Sequence, residues 1–335
     1  MVEKRGLLTF NSKPVIASTG VTMGPLEMKK SPFGKYADKG YDDERCGLKT
    51  NEQGHAKMME DACMIALSKV DKTPSDADFV LMGDLVNEMT PSNFCASTIG
   101  IPFVGLFSAC ATSISSLLTA ALLTEAGMSK LSLAGSSSQH NAIERQFRYP
   151  LQYGSQKAAT AQWTASAAGV ATVIPYIEGA PVITCGTIGI VQDMGLTDPL
   201  NMGAAMAPAA ADTFKRHLEG HGTTLEDYDL VMTGDLGKIG FELFRTLLDQ
   251  WEYNTGNTLR DAGAEFYGKH PEFLAGASGS GCSASAYLSE VYDKMLAGQL
   301  KRVLLIATGS LMSPLSYQQG DTIPCIAHAV EIQMK

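Results

Sequence analysis

Cys110 is the residue of this sequence best placed to act as a nucleophile. It stands directly before a run of small and apolar residues, 111–126, whose pattern predicts a helix surrounded by protein on every side. The free N–H groups and the dipole at the start of a helix stabilise a thiolate, which is the reactive form of cysteine. Buried free cysteines also commonly serve as small apolar packing residues, so packing is the alternative role for Cys110.

Several basic residues could bind carboxylate groups. Arg145 and Arg148 lie in the segment ERQFRYP (144–150), and Lys157 follows it. An arginine guanidinium offers a planar pair of donors that matches the two oxygens of a carboxylate. A solvated surface loop is the alternative interpretation for each of these residues taken alone.

His140 and Asp84 each follow a predicted strand. His140 comes just after the run Ser136–Ser138, and Asp84 follows the strand 79–82 in a Gly-Asp-Leu-x-Asn string. Ligands of α/β proteins usually bind beyond the carboxyl ends of the strands, so both residues are candidates for a binding site. A locally bonded or helix-capping histidine is the alternative for His140. Asp235 repeats Asp84 in the second half, so a role in the fold is equally conceivable for Asp84.

Two patterns that could suggest metal binding are weak. His217 and His221 are spaced by four residues in HLEGHG (217–222), but Gly220 and Gly222 predict a helix end there. The seven cysteines are scattered without C-x-x-C spacing, as is typical of reduced thiols in a reducing compartment. We therefore expect no metal site, no disulfide framework and no cofactor.

The bulk composition limits the classes of function. A chain of 335 residues with 45% hydrophobic residues can bury a sizeable core. The net charge of −9 gives no general attraction to phosphate backbones, so we do not expect nucleic acid as a partner. Neither a signal peptide nor an apolar run of spanning length is apparent, which predicts a cytoplasmic protein.

The hydrophobic pattern alternates between two kinds of element. Short apolar runs bounded by Gly, Ser or Pro predict strands buried on both faces, at 79–82, 101–106, 131–134 and 303–307. Helical patterns lie between such runs, at 54–69, 109–126, 241–251 and 283–297. This alternation favours an α/β fold with helices layered on sheets.

The sequence also repeats itself. SDADFVLMGDL (75–85) is echoed by EDYDLVMTGDL (226–236), and the segment 107–127 is echoed by 278–298. Two copies of one βαβ-type unit are the simplest explanation. The two halves should meet near Glu178–Pro181, which predicts an N-terminal half of residues 1–179 and a C-terminal half of residues 180–335.

A duplicated α/β chain in which Ala-Cys-Ala-Thr-Ser opens a helix resembles the thiolase superfamily, which includes condensing enzymes of fatty-acid and polyketide synthesis. Within it, the chain resembles the stage V sporulation protein AD family of spore-forming bacteria. This resemblance rests on GDLVN (83–87), IPFVGLFSACATS (101–113), ERQFRYP (144–150), MGAAMAPAAADT (202–213), DLVMTGDLG (229–237) and TIPCIAH (322–328). It implies a thiolase fold with an α-β-α-β-α layered architecture over essentially the whole chain.

The superfamily resemblance also implies a catalytic pattern that this chain departs from. In the condensing enzymes, a cysteine at the position of Cys110 attacks an acyl thioester, and His or Asn residues of the second half manage the protons. Here Gly234 and Gly281 stand where those residues belong. We therefore expect a non-catalytic binder, with an acyltransferase using Cys110 or a structural scaffold as alternatives.

The family resemblance implies that the ligand is dipicolinic acid, a pyridine dicarboxylate of spore cores, and that the protein takes part in its uptake into the developing spore. The expected ligand-binding residues are Cys110, Asp84, His140, Arg145, Arg148 and Gly281. Glycine at 281 would widen the cavity for a flat ring, although a tight turn also explains it. Calcium could bridge Asp84 to the ligand. The expected partners are a second copy of the chain and membrane proteins of the uptake complex, which would hold it at the spore inner membrane.

Overall fold

The computed structural model describes residues 5–147, 157–253, 255–256 and 258–335. Its strands are β1 (Leu7–Thr9), β2 (Val15–Met23), β3 (Lys39–Gly40), β4 (Phe79–Gly83), β5 (Phe103–Gly105), β6 (Ser132–Ser138), β7 (Trp163–Thr164), β8 (Ala167–Ile174), β9 (Val182–Thr187), β10 (Leu230–Thr233), β11 (Leu259–Asp261), β12 (Ala277–Ser278), β13 (Arg302–Ser310) and β14 (Cys325–Gln333). Its helices are α1 (Pro25–Lys30), α2 (Asn51–Ser68), α3 (Thr90–Ile99), α4 (Thr112–Glu125), α5 (His140–Glu144), α6 (Met202–His221), α7 (Gly237–Gln250), α8 (Ala262–Glu265), α9 (Ser280–Ala286), α10 (Tyr292–Leu296) and α11 (Pro314–Gln319).

The main strands form two sheets with the same topology. The first sheet has the order β5-β4-β6-β8-β2, and the second has the order β11-β10-β13-β14-β9. In each sheet the first three strands are parallel and the last two are antiparallel to their neighbours. The two sheets meet through the pair Val15 and Val182. This repeated order confirms the predicted duplication.

The helices pack on the sheets in three layers. The helices α2 and α3 cover the outer face of the first sheet, while α6 and α7 cover the outer face of the second. Between the sheets lie α4 and α9, which contact each other and the strands around them. The α-β-α-β-α layering expected from the sequence is confirmed.

The two central helices are buried for a reason visible in their sequences. Small residues such as Ser113, Ser116 and Ala120 on α4 allow the sheets to approach the helix closely. On the second helix, every residue from Ser280 to Ala286 is buried, and a turn of π-helix at Tyr287–Val291 follows. A helix without a polar face can be stable only inside the protein.

The predicted strands and helices agree with the structure except at their ends and in a few places. The apolar pattern did not predict the strands β2 and β14. In β2, the pattern is interrupted by Ser, Thr and Gly. Its Ser18 is nevertheless buried, and its hydroxyl bonds both the Ala66 carbonyl oxygen (2.6 Å) and the Thr172 hydroxyl (2.8 Å). Polar residues are acceptable in a buried strand when their hydrogen bonds are satisfied in this way.

The predicted boundary between residues 179 and 180 falls between β8 and β9. The strand β1 near the N-terminus pairs with β9, so a short segment of the first half completes the second sheet. The boundary as a division into domains stays a prediction. Among the described helices, none is long and apolar enough to cross a membrane.

Candidate functional site

Cys110 lies in a tight turn that leads into α4. Ala109 has a φ of +49°, in the left-handed region that residues other than glycine rarely adopt. Thr112 holds the turn, because its hydroxyl donates to the Ala109 carbonyl oxygen (2.7 Å) and accepts from the Ser108 N–H (3.1 Å). Cys110 is therefore buried between the two sheets, close to the N-terminus of the central helix.

The helix α9 reaches Cys110 from the second half of the chain. The Ser283 hydroxyl donates to the Cys110 carbonyl oxygen at 3.3 Å, and it lies 2.9 Å from the hydroxyl of Ser113. Gly279, just before α9, directs its backbone N–H at the thiol. The site around Cys110 is therefore built from both halves.

The electrostatic surroundings of Cys110 disfavour a thiolate. Burial raises the pKa of the Cys110 thiol well above its ordinary value, and Asp235 raises it further whenever its carboxyl is ionised. The backbone N–H groups of Gly279 and Cys110 act in the opposite direction but do not prevail. Nucleophilic cysteines are normally held in electropositive surroundings that lower the pKa of the thiol.

Asp235 is the most unusual polar residue of the site. It is fully buried, and within the described residues neither carboxylate oxygen has a partner at good hydrogen-bond geometry. The Ser283 side chain and the backbone N–H groups of Ser283 and Thr308 face it without meeting that geometry. Burial raises the pKa of Asp235 well above its ordinary value, and the charge of Asp261 adds to this. The protonated carboxyl is therefore favoured, and it can donate a hydrogen bond.

Asp84, the counterpart of Asp235 in the first half, has a different environment. Its Oδ1 accepts from the Val86 N–H (2.7 Å), and its Oδ2 accepts from the N–H (2.9 Å) and hydroxyl (2.5 Å) of Ser92. Both oxygens are thus used to hold the loop between β4 and α3. This geometry gives Asp84 a role in the fold, and it does not support calcium bridging through this residue.

Gly234 and Gly281 are glycines because neighbouring atoms fill the space beside them. A Cβ at Gly234 would lie 2.6 Å from the Ser283 Cβ and 2.9 Å from the Tyr287 hydroxyl. A Cβ at Gly281 would lie 2.7 Å from the Ser138 hydroxyl oxygen, and nearer still to the Ala167 carbonyl oxygen. The expectation that Gly281 widens a cavity is therefore wrong: close packing of α9 on β6 and β8 requires the glycine.

His140 belongs to a cluster beside the site. Its Nδ1 lies 3.1 Å from a carboxylate oxygen of Glu144, and its ring stacks on Trp163 at a centroid distance of 4.2 Å. Trp163 is followed by Thr164, whose methyl group would be 3.2 Å from a Cβ at Gly279. The contacts of His140 thus lie within its own cluster with Glu144 and Trp163, and only Thr164, the neighbour of Trp163, approaches Gly279.

The basic residues predicted to bind carboxylates have diverse surroundings. Lys157 lies 2.7 Å from Glu144 and 4.3 Å from the centre of the Trp163 ring, so it belongs to the His140 cluster. Arg145 is half exposed and forms an ion pair with Glu52 on the outer helix α2, away from the central layer. Arg148 lies outside the described residues.

The two spaced histidines are also placed differently than expected. Helix α6 continues through Gly220 and ends at His221, and Gly222 adopts the left-handed conformation of a helix cap. His217 and His221 therefore lie on one face of the helix, and Cys185 of β9 lies next to them. This group of three is the one place within the described residues where three such side chains converge as potential metal ligands.

Sequence reasoning missed the contributions of Asp235, Gly279 and Ser283 to the site. The repeated Gly-Asp-Leu string carried a signal for Asp235, but it could not show that the two aspartates have different partners. Gly279 and Ser283 lie in the segment that echoes the Cys110 region. Their approach to Cys110 depends on the packing of α9 against α4, which local patterns do not reveal.

Comparison with known proteins places the chain in a family. Residues 4–333 match the family described as Stage V sporulation protein AD (SpoVAD). The Stage V sporulation protein AD of Bacillus subtilis (strain 168) is 42% identical over 321 residues, which cover 96% of this chain and 94% of that protein.

Solved structures of condensing enzymes share the fold. The 3-oxoacyl-[acyl-carrier-protein] synthase III of Aquifex aeolicus VF5 superposes with a TM-score of 0.60 at 14% identity, covering 96% of this chain and 99% of that chain. Cerulenin-bound OleA of Xanthomonas campestris superposes with a TM-score of 0.60 at 14% identity, covering 97% of each chain. The predicted thiolase fold is thereby confirmed, and the sequence match establishes that the chain belongs to the stage V sporulation protein AD family.

Proposed function

We propose that this protein binds dipicolinic acid in the site around Cys110 and takes part in its uptake into the developing spore. Membership of a sporulation protein family supports a role for this protein in sporulation. The identity of the ligand is the expectation that follows from the family resemblance of the sequence. The site itself supports binding over catalysis, for the following reasons.

The observation that carries the proposal is the state of the thiol. Burial raises the pKa of Cys110 well above its ordinary value, which is the reverse of what a nucleophile needs. Glycines replace the acid and base residues of the second half, and close packing prevents side chains there. The site thus keeps the position of a condensing-enzyme centre without the groups that drive the reaction.

The polar groups around Cys110 suit a carboxylate ligand. A protonated Asp235 donates a hydrogen bond to one carboxylate oxygen, and the Gly279 N–H donates a second. Among the described residues the Asp235 carboxyl meets no partner at good geometry, so it gains a hydrogen bond when the ligand binds, and this favours the complex.

Calcium would change the role of Asp235. A calcium ion binds oxygen ligands and favours the ionised carboxylate, so the calcium chelate of dipicolinic acid would use Asp235 as an anion. The free acid would use it as a donor. The two forms therefore predict opposite dependences of affinity on pH, which makes them distinguishable.

Calorimetric titration with dipicolinic acid, with and without calcium, tests the proposal. We expect saturable binding by the natural protein, weaker binding by Cys110→Ala, and unchanged binding by Cys63→Ala, a matched control at a buried cysteine of α2. An isomeric pyridine dicarboxylate should bind less well, because its carboxylates are differently spaced. No heat with either form of the ligand would contradict the proposal.

An acyltransferase is the second candidate, since Cys110 keeps the position of the nucleophile at the start of α4. A stable acyl adduct on Cys110 after incubation with an acyl coenzyme A would favour it. A scaffold without a ligand is the third candidate, and it would be favoured if neither dipicolinic acid nor an acyl thioester reacted or bound.

We further propose that two copies of the chain pair along β5. This strand lies at the end of the first sheet, so one side of its backbone is available for hydrogen bonds with another strand. Phe94, Val104 and Phe107 near it are exposed at 66%, 38% and 51%. Apolar side chains at an open strand edge favour association with a second copy. Association with membrane proteins of the uptake complex would then use other surfaces.

A further inference from the structure

A group of metal-binding side chains lies away from Cys110, where α6 packs on the outer face of β9. Alternation along β9 directs Cys185 and Thr187 towards α6, whereas a side chain at Gly186 would meet Leu118 of the central helix α4. His217 faces the same space, since its Nδ1 lies 2.9 Å from the Thr187 hydroxyl. The outer face of the second sheet therefore has a polar cluster of its own.

We propose that Cys185, His217 and His221 bind a divalent transition metal of the zinc class. Two histidines one helical turn apart and a cysteine from a neighbouring strand form a ligand set that suits zinc, cobalt and related ions. His221 is partly exposed at the C-terminal end of α6, which gives the ion a route from solvent and leaves a fourth position for water.

The hydrogen bonds of the two histidines leave suitable nitrogen atoms for the metal. His221 donates from its Nε2 to the Gly186 carbonyl oxygen at 3.2 Å, and a carbonyl can only accept, so the Nδ1 lone pair is available. The Nδ1 of His217 contacts the Thr187 hydroxyl, so its Nε2 is available on the side of Cys185. Metal-bound histidines characteristically bond a protein group through the other ring nitrogen.

The distances are close to those of a metal site. The sulphur of Cys185 lies 4.0 Å from the Nε2 of His217, and the ligand atoms of all three residues lie within 4.8 Å of one another. From the usual zinc bond lengths, two ligands of a tetrahedral ion lie roughly 3.5 Å apart. Small rotations of the side chains, by roughly 1 Å at the ligand atoms, would close the cluster around an ion.

The charges near the cluster are balanced. Arg302 is the cation whose charge reaches His217, but its guanidinium pairs with Glu331 at 2.9 Å. Glu331 is the residue opposite Cys185 on β14, so a negative charge adjoins the thiol across the sheet. A bound cation would fix the end of α6 to β9, independently of any ligand at Cys110.

Titration of the metal-free protein with cobalt(II), followed by zinc, tests this inference. We expect one equivalent of cobalt to bind and to give a sulphur-to-cobalt charge-transfer band, which zinc then abolishes. Cys185→Ser should remove the band and weaken binding at least tenfold, and His221→Gln should weaken binding at least tenfold. Cys325→Ser, at a buried cysteine on β14 of the same sheet, is the matched control and should bind like the natural protein.

His221 is partly exposed, so its substitution tests the site even if Cys185→Ser folds poorly. Absence of saturable cobalt binding at micromolar concentrations would overturn the inference. Binding of equal strength in Cys185→Ser and His221→Gln would overturn it as well, because the metal would then be held elsewhere.

Discussion

Asp235 and Asp261 are neighbouring, fully buried carboxyls, yet within the described part of the chain only the Asp261 carboxylate meets hydrogen-bond partners at good geometry. Asp261 accepts from the N–H groups of Leu236 (3.1 Å), Gly237 (2.9 Å) and Ala264 (2.7 Å). In the first half, Asp84 bonds the corresponding loop itself. Asp261 has thus taken over the structural role in the second half, which leaves Asp235 available to the site around Cys110.

The first prediction concerns the stability of Asp235→Asn. The folded-state pKa of Asp235 is raised by burial, so its ionisation disfavours the folded state as pH rises above about 4. Asparagine does not ionise. The melting temperature of the variant minus that of the natural protein, measured by calorimetry, should therefore become more positive as pH increases from 5 to 8.

Asp84→Asn is the matched control for this experiment. Asp84 accepts three hydrogen bonds in a buried place, and asparagine cannot accept all of them, so a loss of about 2 kcal/mol is expected. Equal destabilisation by Asp235→Asn at pH 5 and pH 8 would show that Asp235 has stabilising partners in the folded state.

Asp261 should add its own dependence on pH to the natural protein. Burial raises the pKa of Asp261 from 3.8 to about 7. A raised pKa means that stability is greatest below the unfolded value and is lost as pH rises through the folded value. The free energy of unfolding of the natural protein should therefore decline between about pH 4 and pH 7. The variant Asp261→Asn lacks this carboxyl, so the difference between the two proteins isolates its contribution from that of other titrating groups.

Gly281→Ala provides a separate test of the packing. The added methyl group would overlap Ser138 and the backbone of Ala167, which predicts a loss of about 1–3 kcal/mol in denaturant unfolding. Gly268→Ala serves as a comparison, since open space surrounds it and any loss of stability there comes from its left-handed backbone alone. A fully stable Gly281→Ala variant would indicate that α9 can move away from β6 and β8.

The thiol of Cys110 should be unreactive in the folded protein. Because burial raises its pKa, only a small fraction is thiolate at neutral pH. Mass spectrometry after treatment with iodoacetamide should show alkylation of Cys110 only when denaturant is added. Rapid alkylation of Cys110 in the native protein, or an acyl adduct from acyl coenzyme A, would favour the acyltransferase alternative.

The proposed dimer can be tested at Phe107. An acidic residue beside the open edge of β5 would repel its symmetry mate, so Phe107→Glu should shift a dimer towards monomer in analytical ultracentrifugation. Met128→Glu, at an exposed methionine of comparable accessibility, should leave the association state unchanged. A natural protein that sediments as a monomer would contradict the proposal directly.

Much of the fold could be predicted from the sequence because its signals are local. The short apolar runs predicted β4 and β13, and the repeated Gly-Asp-Leu string revealed the duplication that the two sheets display. The position of Cys110 before a buried helix was also predictable, since small residues on all sides of α4 exclude a solvated face.

The details of the site depended on contacts between distant segments. The identical Gly-Asp-Leu strings do not show which of the two carboxylates, Asp84 or Asp235, has well-aligned hydrogen-bond partners. The space beside Gly281 depends on where β6 and β8 lie, and Cys185 is 32 residues from His217 in the chain. Each of these relationships exists only after the sheets and helices have packed.

The most direct test of the central claim compares the affinity of Asp235→Ala and Asp235→Asn for dipicolinic acid by calorimetry. The neutral carboxyl acts as a donor in our account, and the asparagine amide can replace it but alanine cannot. We expect Asp235→Ala to bind the free acid at least about tenfold more weakly, and Asp235→Asn to bind within a few-fold of the natural protein. Unchanged affinity in Asp235→Ala, with or without calcium, would contradict the claim that the ligand occupies the site around Cys110.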